Sequence, residues 1–226
     1  KKIGAVNYTL GQLVPENAGD ISPYYLEVVK KAEPFLRDRA VNDIVRHFRK
    51  EKDPGRRIQL ASKLYPASAE SAKEKQSKED NALTAILDYV TGDAYLEKGD
   101  YRSAETFLSK SLTKLRTSEV LYYDANLLLA SIALKNGDGA AAEKCQFNAV
   151  TNYLNRWNKP GFTDTVLQLV GYYESAGADL EYSGDFGKAA ELYQRYVKVI
   201  TYLHWLKKFE PLYNEYGARA HVLYID

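Results

Sequence analysis

The chain of 226 residues has one cysteine, three histidines and no methionine. A single cysteine, Cys145, excludes an intrachain disulfide and a metal site built from several cysteines. None of His47, His204 and His221 has a second ligand at a recognised metal-binding spacing, so we expect no metal site. A catalytic Cys145 would need a neighbouring base and a lowered pKa, and the sequence indicates neither. We therefore expect no catalytic residue and a protein that is not an enzyme.

The chain also lacks an excess of charge and a long apolar run. Its 31 basic and 30 acidic residues give a formal net charge of +1, which does not favour binding to nucleic acid or to an anionic membrane. No apolar run approaches the roughly 20 residues that span a bilayer, so we expect no transmembrane segment. Glycine-rich phosphate-binding loops are absent, and we expect no cofactor.

Tyrosine is abundant, with 19 residues, and the chain begins at Lys1 rather than at a methionine. This start is expected to result from trimming of the N-terminus. Together with the tyrosine content it favours an exported bacterial protein, periplasmic or membrane-associated, with a cytoplasmic protein as the alternative.

Three segments of the sequence align on one pattern. They are Gly92–Leu112, Ala130–Val150 and Gly177–Val197. Each has a small residue seven positions before a turn glycine, an aspartate directly after that glycine and an alanine five positions after it. The turn glycines are Gly99, Gly137 and Gly184, which gives offsets of 38 and 47 residues.

The Gly-Asp pair is typical of a tight turn between two helices. Glycine adopts the left-handed conformation that ends a helix, and the aspartate side chain caps the first N–H groups of the next one. Small residues within the helices allow two antiparallel helices to approach closely. Each segment therefore predicts a helical hairpin, and about three stacked hairpins are needed for stability.

These segments resemble the tetratricopeptide repeat, a helix-turn-helix of about 34 residues. The first segment has Gly92, Tyr95, Gly99, Asp100, Tyr101 and Ala104 at the spacing of the family. The third has Gly177, Gly184, Asp185, Phe186, Ala189 and Tyr193, with Leu180 where the family favours tyrosine. The second has Ala133 at that position and Gly139 where an aromatic residue is usual. The resemblance implies an all-α fold, a right-handed solenoid of helical hairpins that forms an α-α superhelix.

In that family the first helix of each hairpin lines a concave groove that holds a partner segment. The resemblance implies these groove residues: Tyr89, Asp93, Leu96, Glu97, Leu127, Ser131, Leu134, Lys135, Glu174, Ala178, Glu181 and Tyr182. Members that bind the C-terminal carboxylate of chaperone tails use lysine and asparagine where this chain has Tyr89 and Asp93. An adaptor for chaperone tails is therefore not expected.

The predicted division of the chain has four parts. Residues 1–21 form an irregular arm, and residues 22–80 form a helical N-terminal region with a degenerate hairpin and a polar linker. Residues 81–200 hold the three repeats, and residues 201–226 form a C-terminal capping helix interrupted at Pro211.

The segment 46–57 contains six basic and two acidic residues. One interpretation is contact with an acidic partner or with nucleic acid phosphates. The favoured one is a solvated turn with cations at a helix C-terminus, because no aromatic stacking platform accompanies the charges.

The functional expectation is a non-catalytic scaffold or adaptor that holds a segment of another protein or peptide. The alternative is an accessory module of an envelope or transport assembly that binds a small ligand or lipid. The sequence predicts neither the partner nor the oligomeric state.

Overall fold

The computed structural model describes residues 34–65, 78–117, 119–154, 159 and 161–225. Within these residues there are helices and no strand, which confirms the all-α class. The helices are α1 (Pro34–Lys50), α2 (Pro54–Leu64), α3 (Lys78–Glu97), α4 (Tyr101–Lys114), α5 (Val120–Lys135), α6 (Gly139–Thr151), α7 (Phe162–Tyr182), α8 (Phe186–Trp205) and α9 (Glu210–Ile225). The predicted N-terminal arm, the predicted helix start at residue 22 and most of the polar linker lie outside the described residues.

Two compact units divide the chain, residues 1–132 and residues 133–226. In the first unit α3 is the central helix and packs against α4 and α2. Its residues Ala85, Ile86 and Leu87 are all buried, as expected for a helix that contacts neighbours on several sides. Helix α2 is capped by Asp53, whose side chain accepts a bond from the Gly55 N–H at 2.8 Å.

Helices α3 and α4 of the first hairpin approach each other closely at Gly92. A Cβ placed on Gly92 would lie 2.7 Å from Leu108 Cγ and 3.1 Å from the Leu108 backbone nitrogen. Only glycine permits this approach without moving α4. Nearer the turn, the rings of Tyr95 and Phe107 stack with centroids 5.5 Å apart.

In the second unit α8 packs against α7 and α9, and α6 packs against α7 and α8. Its core is rich in tyrosine: Tyr153, Tyr173, Tyr193 and Tyr196 are all fully buried. The rings of Tyr173 and Tyr196 stack at 5.5 Å. Part of the tyrosine content is therefore core material. The Tyr173 and Tyr196 hydroxyls bond to carboxylates, and the Tyr153 hydroxyl accepts a bond from a backbone N–H.

The three predicted turns share one geometry. Gly99, Gly137 and Gly184 have φ of 77°, 75° and 81°. The N–H of the aspartate that follows each glycine donates to the carbonyl five residues back, at 3.0, 2.9 and 2.9 Å respectively. Such a bond is the signature of a Schellman C-terminus.

Each of these aspartates also begins the next helix. The side chains of Asp100, Asp138 and Asp185 accept bonds from backbone N–H groups three residues on, at 3.0, 2.9 and 3.4 Å. Two residues thus end one helix and cap the next, and the predicted roles of glycine and aspartate are confirmed.

The predicted interruption at Pro211 is placed differently by the structure. Helix α8 ends at Trp205, and α9 begins at Glu210 with Pro211 in its first turn. Between them Lys207 has φ of 38°. The break therefore precedes the proline, because a first-turn residue has no intrahelical use for the N–H that proline lacks. Residues 201–205 accordingly belong to α8 rather than to a separate capping helix.

Candidate interaction surface

The predicted groove positions of the first repeat lie on α3 and differ in exposure. Tyr89 is 3% exposed and Asp93 is 6% exposed, whereas Leu96 is half-buried and Glu97 is exposed. The buried pair contacts two arginines from earlier in the chain. Arg49 Nε donates to Asp93 Oδ2 at 2.9 Å, and its Nη2 lies 3.5 Å from the Tyr89 hydroxyl.

Arg57 completes this cluster from α2. It is 2% exposed, its Nη1 lies 3.8 Å from Asp93 Oδ2, and it forms a two-pronged pair with Glu97 whose Nη1–Oε1 distance is 3.0 Å. The bond to Asp93 raises the pKa of Arg49, and burial raises the pKa of Tyr89. We call Arg49, Arg57, Tyr89, Asp93 and Glu97 the arginine cluster.

The expectation that Tyr89 and Asp93 face an open groove is therefore corrected. Their polar atoms bond to Arg49, and α1 and α2 supply the side chains that cover them. In the second predicted set, Leu127 and Ser131 are half-buried. The Ser131 hydroxyl donates to the Leu128 carbonyl at 2.7 Å, so its hydrogen bond stays within α5.

The arginines of segment 46–57 pair with acidic residues of the first unit. Besides the arginine cluster, Arg46 lies 2.8 Å from Asp43, and Arg56 lies 3.9 Å from Glu51. This arrangement favours internal ion pairing over a free basic patch for phosphate groups.

The predicted groove positions in the second unit are more open. Tyr182 is 97% exposed, and Leu134, Lys135 and Ala178 are also exposed. Glu181 is half-buried. Glu174 is engaged internally: it accepts a bond from the Tyr196 hydroxyl at 3.2 Å and lies 3.3 Å from Arg219 Nη2. Leu134, Ala178 and Tyr182 thus remain accessible, whereas Glu174 serves to hold α8 and α9 to α7.

Among the residues whose side-chain exposure the structure describes, the exposed large apolar side chains all belong to the second unit. They are Leu134, Leu167, Tyr182, Phe186, Trp205, Val222 and Tyr224. Tyr182 and Phe186 flank the same tight turn, two residues on either side of Gly184. We call these seven residues the exposed apolar set.

Two buried acidic residues were not singled out by the sequence. Asp88 is fully buried, bonds to the Tyr65 hydroxyl and lies 2.5 Å from Lys114 Nζ. Glu143 accepts a bond from the Tyr173 hydroxyl at 2.7 Å and pairs with Arg195 Nη2 at 2.8 Å. Burial raises the pKa of Glu143, while these two partners oppose the rise. An acidic residue within a run of apolar residues, such as Asp88 in α3, is the signal that could have identified such a pair.

No group of three or more histidine, cysteine, aspartate or glutamate side chains in the described part of the chain could hold a metal ion. His204 packs against the Tyr213 ring, with centroids 4.6 Å apart, and Cys145 is half-buried. None of the helices described is long and apolar enough to cross a membrane.

Comparisons with known proteins identified no relative of this chain. No family model, no curated protein and no solved structure matches the chain. The resemblance to the tetratricopeptide repeat therefore rests on the three Gly-Asp turns and the residues around them. The handedness of the solenoid and the repeat family stay predictions.

Proposed function

We propose that this protein is a non-catalytic scaffold whose second unit binds another protein through the exposed apolar set. The observation that carries the proposal is the uneven placement of apolar side chains. All seven large exposed ones belong to residues 133–226, while the first unit has none among the residues whose side-chain exposure the structure describes. Exposed apolar side chains that lie close together, as Tyr182 and Phe186 do on the two sides of the Gly184 turn, are typical of an interaction site.

The chemistry of the set suits protein recognition. Four of its members are aromatic, and aromatic residues are enriched among the side chains that contribute most to binding. Tyr182 and Trp205 each offer a large apolar face with a polar edge. The Schellman turn at Gly184 fixes the backbone between Tyr182 and Phe186, so these two side chains start from a rigid support that lowers the entropy cost of binding.

The test is affinity capture from a native lysate of the source organism, comparing wild type with a Leu134→Ser, Tyr182→Ser double variant. Both side chains are exposed, so the variant should keep its helicity and melting temperature. We expect proteins retained by wild type to be lost by this variant, because the anchoring apolar contacts are gone.

The matched control is a Lys144→Ser, Glu191→Ser double variant, which changes two exposed polar residues of the same unit. It should retain the same proteins as wild type. Equal retention by the Leu134→Ser, Tyr182→Ser variant would contradict the proposal.

A further inference from the structure

A solvent-open cleft of about 660 Å³ lies within the second unit, between α6, α8 and α9. Its lining residues are Phe147, Gln194, Arg195, Val197, Lys198 and Tyr224. Its volume falls in the range of sites that hold small ligands or a few side chains, about 300–1,000 Å³. Apart from Tyr224, the cleft does not use the exposed apolar set.

Two cations converge on one ring in this cleft. Arg195 Cζ lies 4.7 Å and Lys198 Nζ lies 5.3 Å from the centroid of the Phe147 ring. The ring holds both cationic groups near each other by attraction to its face. A ring contact does not neutralise charge, so both groups remain able to attract an anion.

The charge balance of the cleft is positive. Arg195 is anchored by Glu143, which is buried and is itself held by the Tyr173 hydroxyl. Glu143 therefore orients the guanidinium and offsets part of its charge. Lys198 is exposed and forms no ion pair with any residue that the structure describes. The lysine ammonium is the uncompensated charge of the site.

The polar and apolar groups around Lys198 define a mixed site. The Gln194 side chain is exposed beside the two cations and can donate to an oxygen. Val197 and Tyr224 provide apolar area among the lining residues. A carboxylate next to an apolar group matches this combination, because the carboxylate pairs with the ammonium while the apolar group packs on Val197 and Tyr224.

We propose that this cleft binds an acidic segment of a partner protein, in which aspartate or glutamate lies beside an aromatic or aliphatic side chain. The inference rests on the proposed function and names the chemistry of the partner. The openness of the cleft to solvent admits a continuous chain passing over it, and the positive charge selects against basic segments.

The test selects peptides of about twelve randomised residues on the full wild-type chain and measures the strongest by fluorescence anisotropy. Enriched peptides should carry an acidic residue adjacent to an apolar one. Lys198→Glu should weaken their binding about tenfold or more, since attraction becomes repulsion, and Lys198→Gln should have a smaller effect. Raising NaCl from about 50 mM to about 500 mM should weaken wild-type binding severalfold.

Lys110→Glu is the matched control. Lys110 is also an exposed lysine over a phenylalanine ring, 5.0 Å from the Phe107 centroid, but it lies in the first unit. The Lys110→Glu variant should leave peptide affinity within about twofold of wild type, because Lys110 is remote in sequence and does not line the cleft.

Several results would overturn the inference. These are enrichment of no peptide, enrichment without preference for acidic residues, or equal affinity of wild type and Lys198→Glu. If free phenylacetate bound as tightly as the best peptide, the ligand of the cleft would be a small acid and not a protein segment. In the native capture above, loss of partners from the Leu134→Ser, Tyr182→Ser variant with full retention by Lys198→Glu would reject the cleft and leave the proposed function intact.

Discussion

The two units of this chain use the same turn but place their charged and apolar side chains differently. In the first unit Arg49 pairs with Asp93, and the buried Arg57 pairs with Glu97. Where the structure describes the side-chain exposure in that unit, no large apolar side chain is exposed. In the second unit tyrosines fill the core, and seven large apolar side chains are exposed.

The difference shows that a shared backbone motif does not determine which face remains available. The Schellman turns at Gly99 and Gly184 have matching hydrogen bonds. The residue two positions before each glycine is nevertheless used in opposite ways: Glu97 pairs with Arg57, whereas Tyr182 is 97% exposed. Availability for a partner depends on which side chains neighbouring helices supply.

The largest expected effect comes from breaking the arginine cluster. Arg57→Ala should destabilise the first unit by about 3 kcal/mol, because Glu97 and Asp93 lose a buried partner. Hydrogen exchange followed by mass spectrometry reads the units separately, and we expect reduced protection in α3 with unchanged protection in α7 and α8.

Arg46→Ala is the control, since Arg46 forms an exposed pair with Asp43. It should change protection by less than about 1 kcal/mol. A comparable loss in both variants, or a loss from Arg57→Ala that reaches the second unit equally, would refute the distinction between the units.

A second pair of substitutions tests the close approach of helices, which both units contain. In Gly92→Ala the added Cβ would clash with Leu108, and in Gly177→Ala it would overlap the Tyr193 ring. Each change should destabilise its own unit by about 1–3 kcal/mol, measured by urea unfolding.

Gly171→Ala serves as the reference for that pair. Gly171 lies within α7 and has no neighbour within 4 Å of an added Cβ. This change should stabilise the protein by about 0.5–1 kcal/mol through helix propensity. Stabilisation by Gly177→Ala as well would mean that α7 and α8 are not held as close as the structure has them.

The smallest expected effect concerns two of the capping aspartates, one chosen from each unit. Bonds to Ser103 lower the pKa of Asp100, and bonds to Lys188 lower the pKa of Asp185, from an ordinary value of 3.8. A carboxylate whose pKa is lowered in the folded state stabilises the protein at every pH above its ordinary pKa. This stabilisation is lost as the pH falls through the lowered pKa.

Thermal unfolding of Asp100→Ala and Asp185→Ala should therefore show lower melting temperatures than wild type near neutral pH. The difference should shrink as the pH is lowered from about 5 to about 2, equally for the two variants. A difference that grows on acidification would contradict the capping role of these carboxylates.

The turns were predictable from sequence because their determinants are local. Glycine at the left-handed position and aspartate after it specify the geometry within a few residues. Burial of Tyr89 and Asp93 was not predictable in this way, since it depends on Arg49 and Arg57, some 40 residues earlier. The alignment of the repeats places Tyr89 and Asp93 on one side of α3. Only the packed structure shows which side chains cover that side.

The accessible part of the predicted groove illustrates the same limit. Sequence phase selected Leu134 and Tyr182 together with Glu174, yet the first two are exposed and the third is bonded to Tyr196. Trp205 and Phe186 were outside the predicted set, because their exposure follows from the positions where α8 ends and begins.

Site-specific photo-cross-linking in cells of the source organism tests the central claim most directly. A photoreactive amino acid would replace Tyr182 in the second unit or, as the comparison, Glu105 on the exposed side of α4. We predict cross-linked adducts to a discrete protein from position 182 and none from position 105. Adducts from position 105 alone, or none from either, would contradict the account that the second unit is the binding part of this protein.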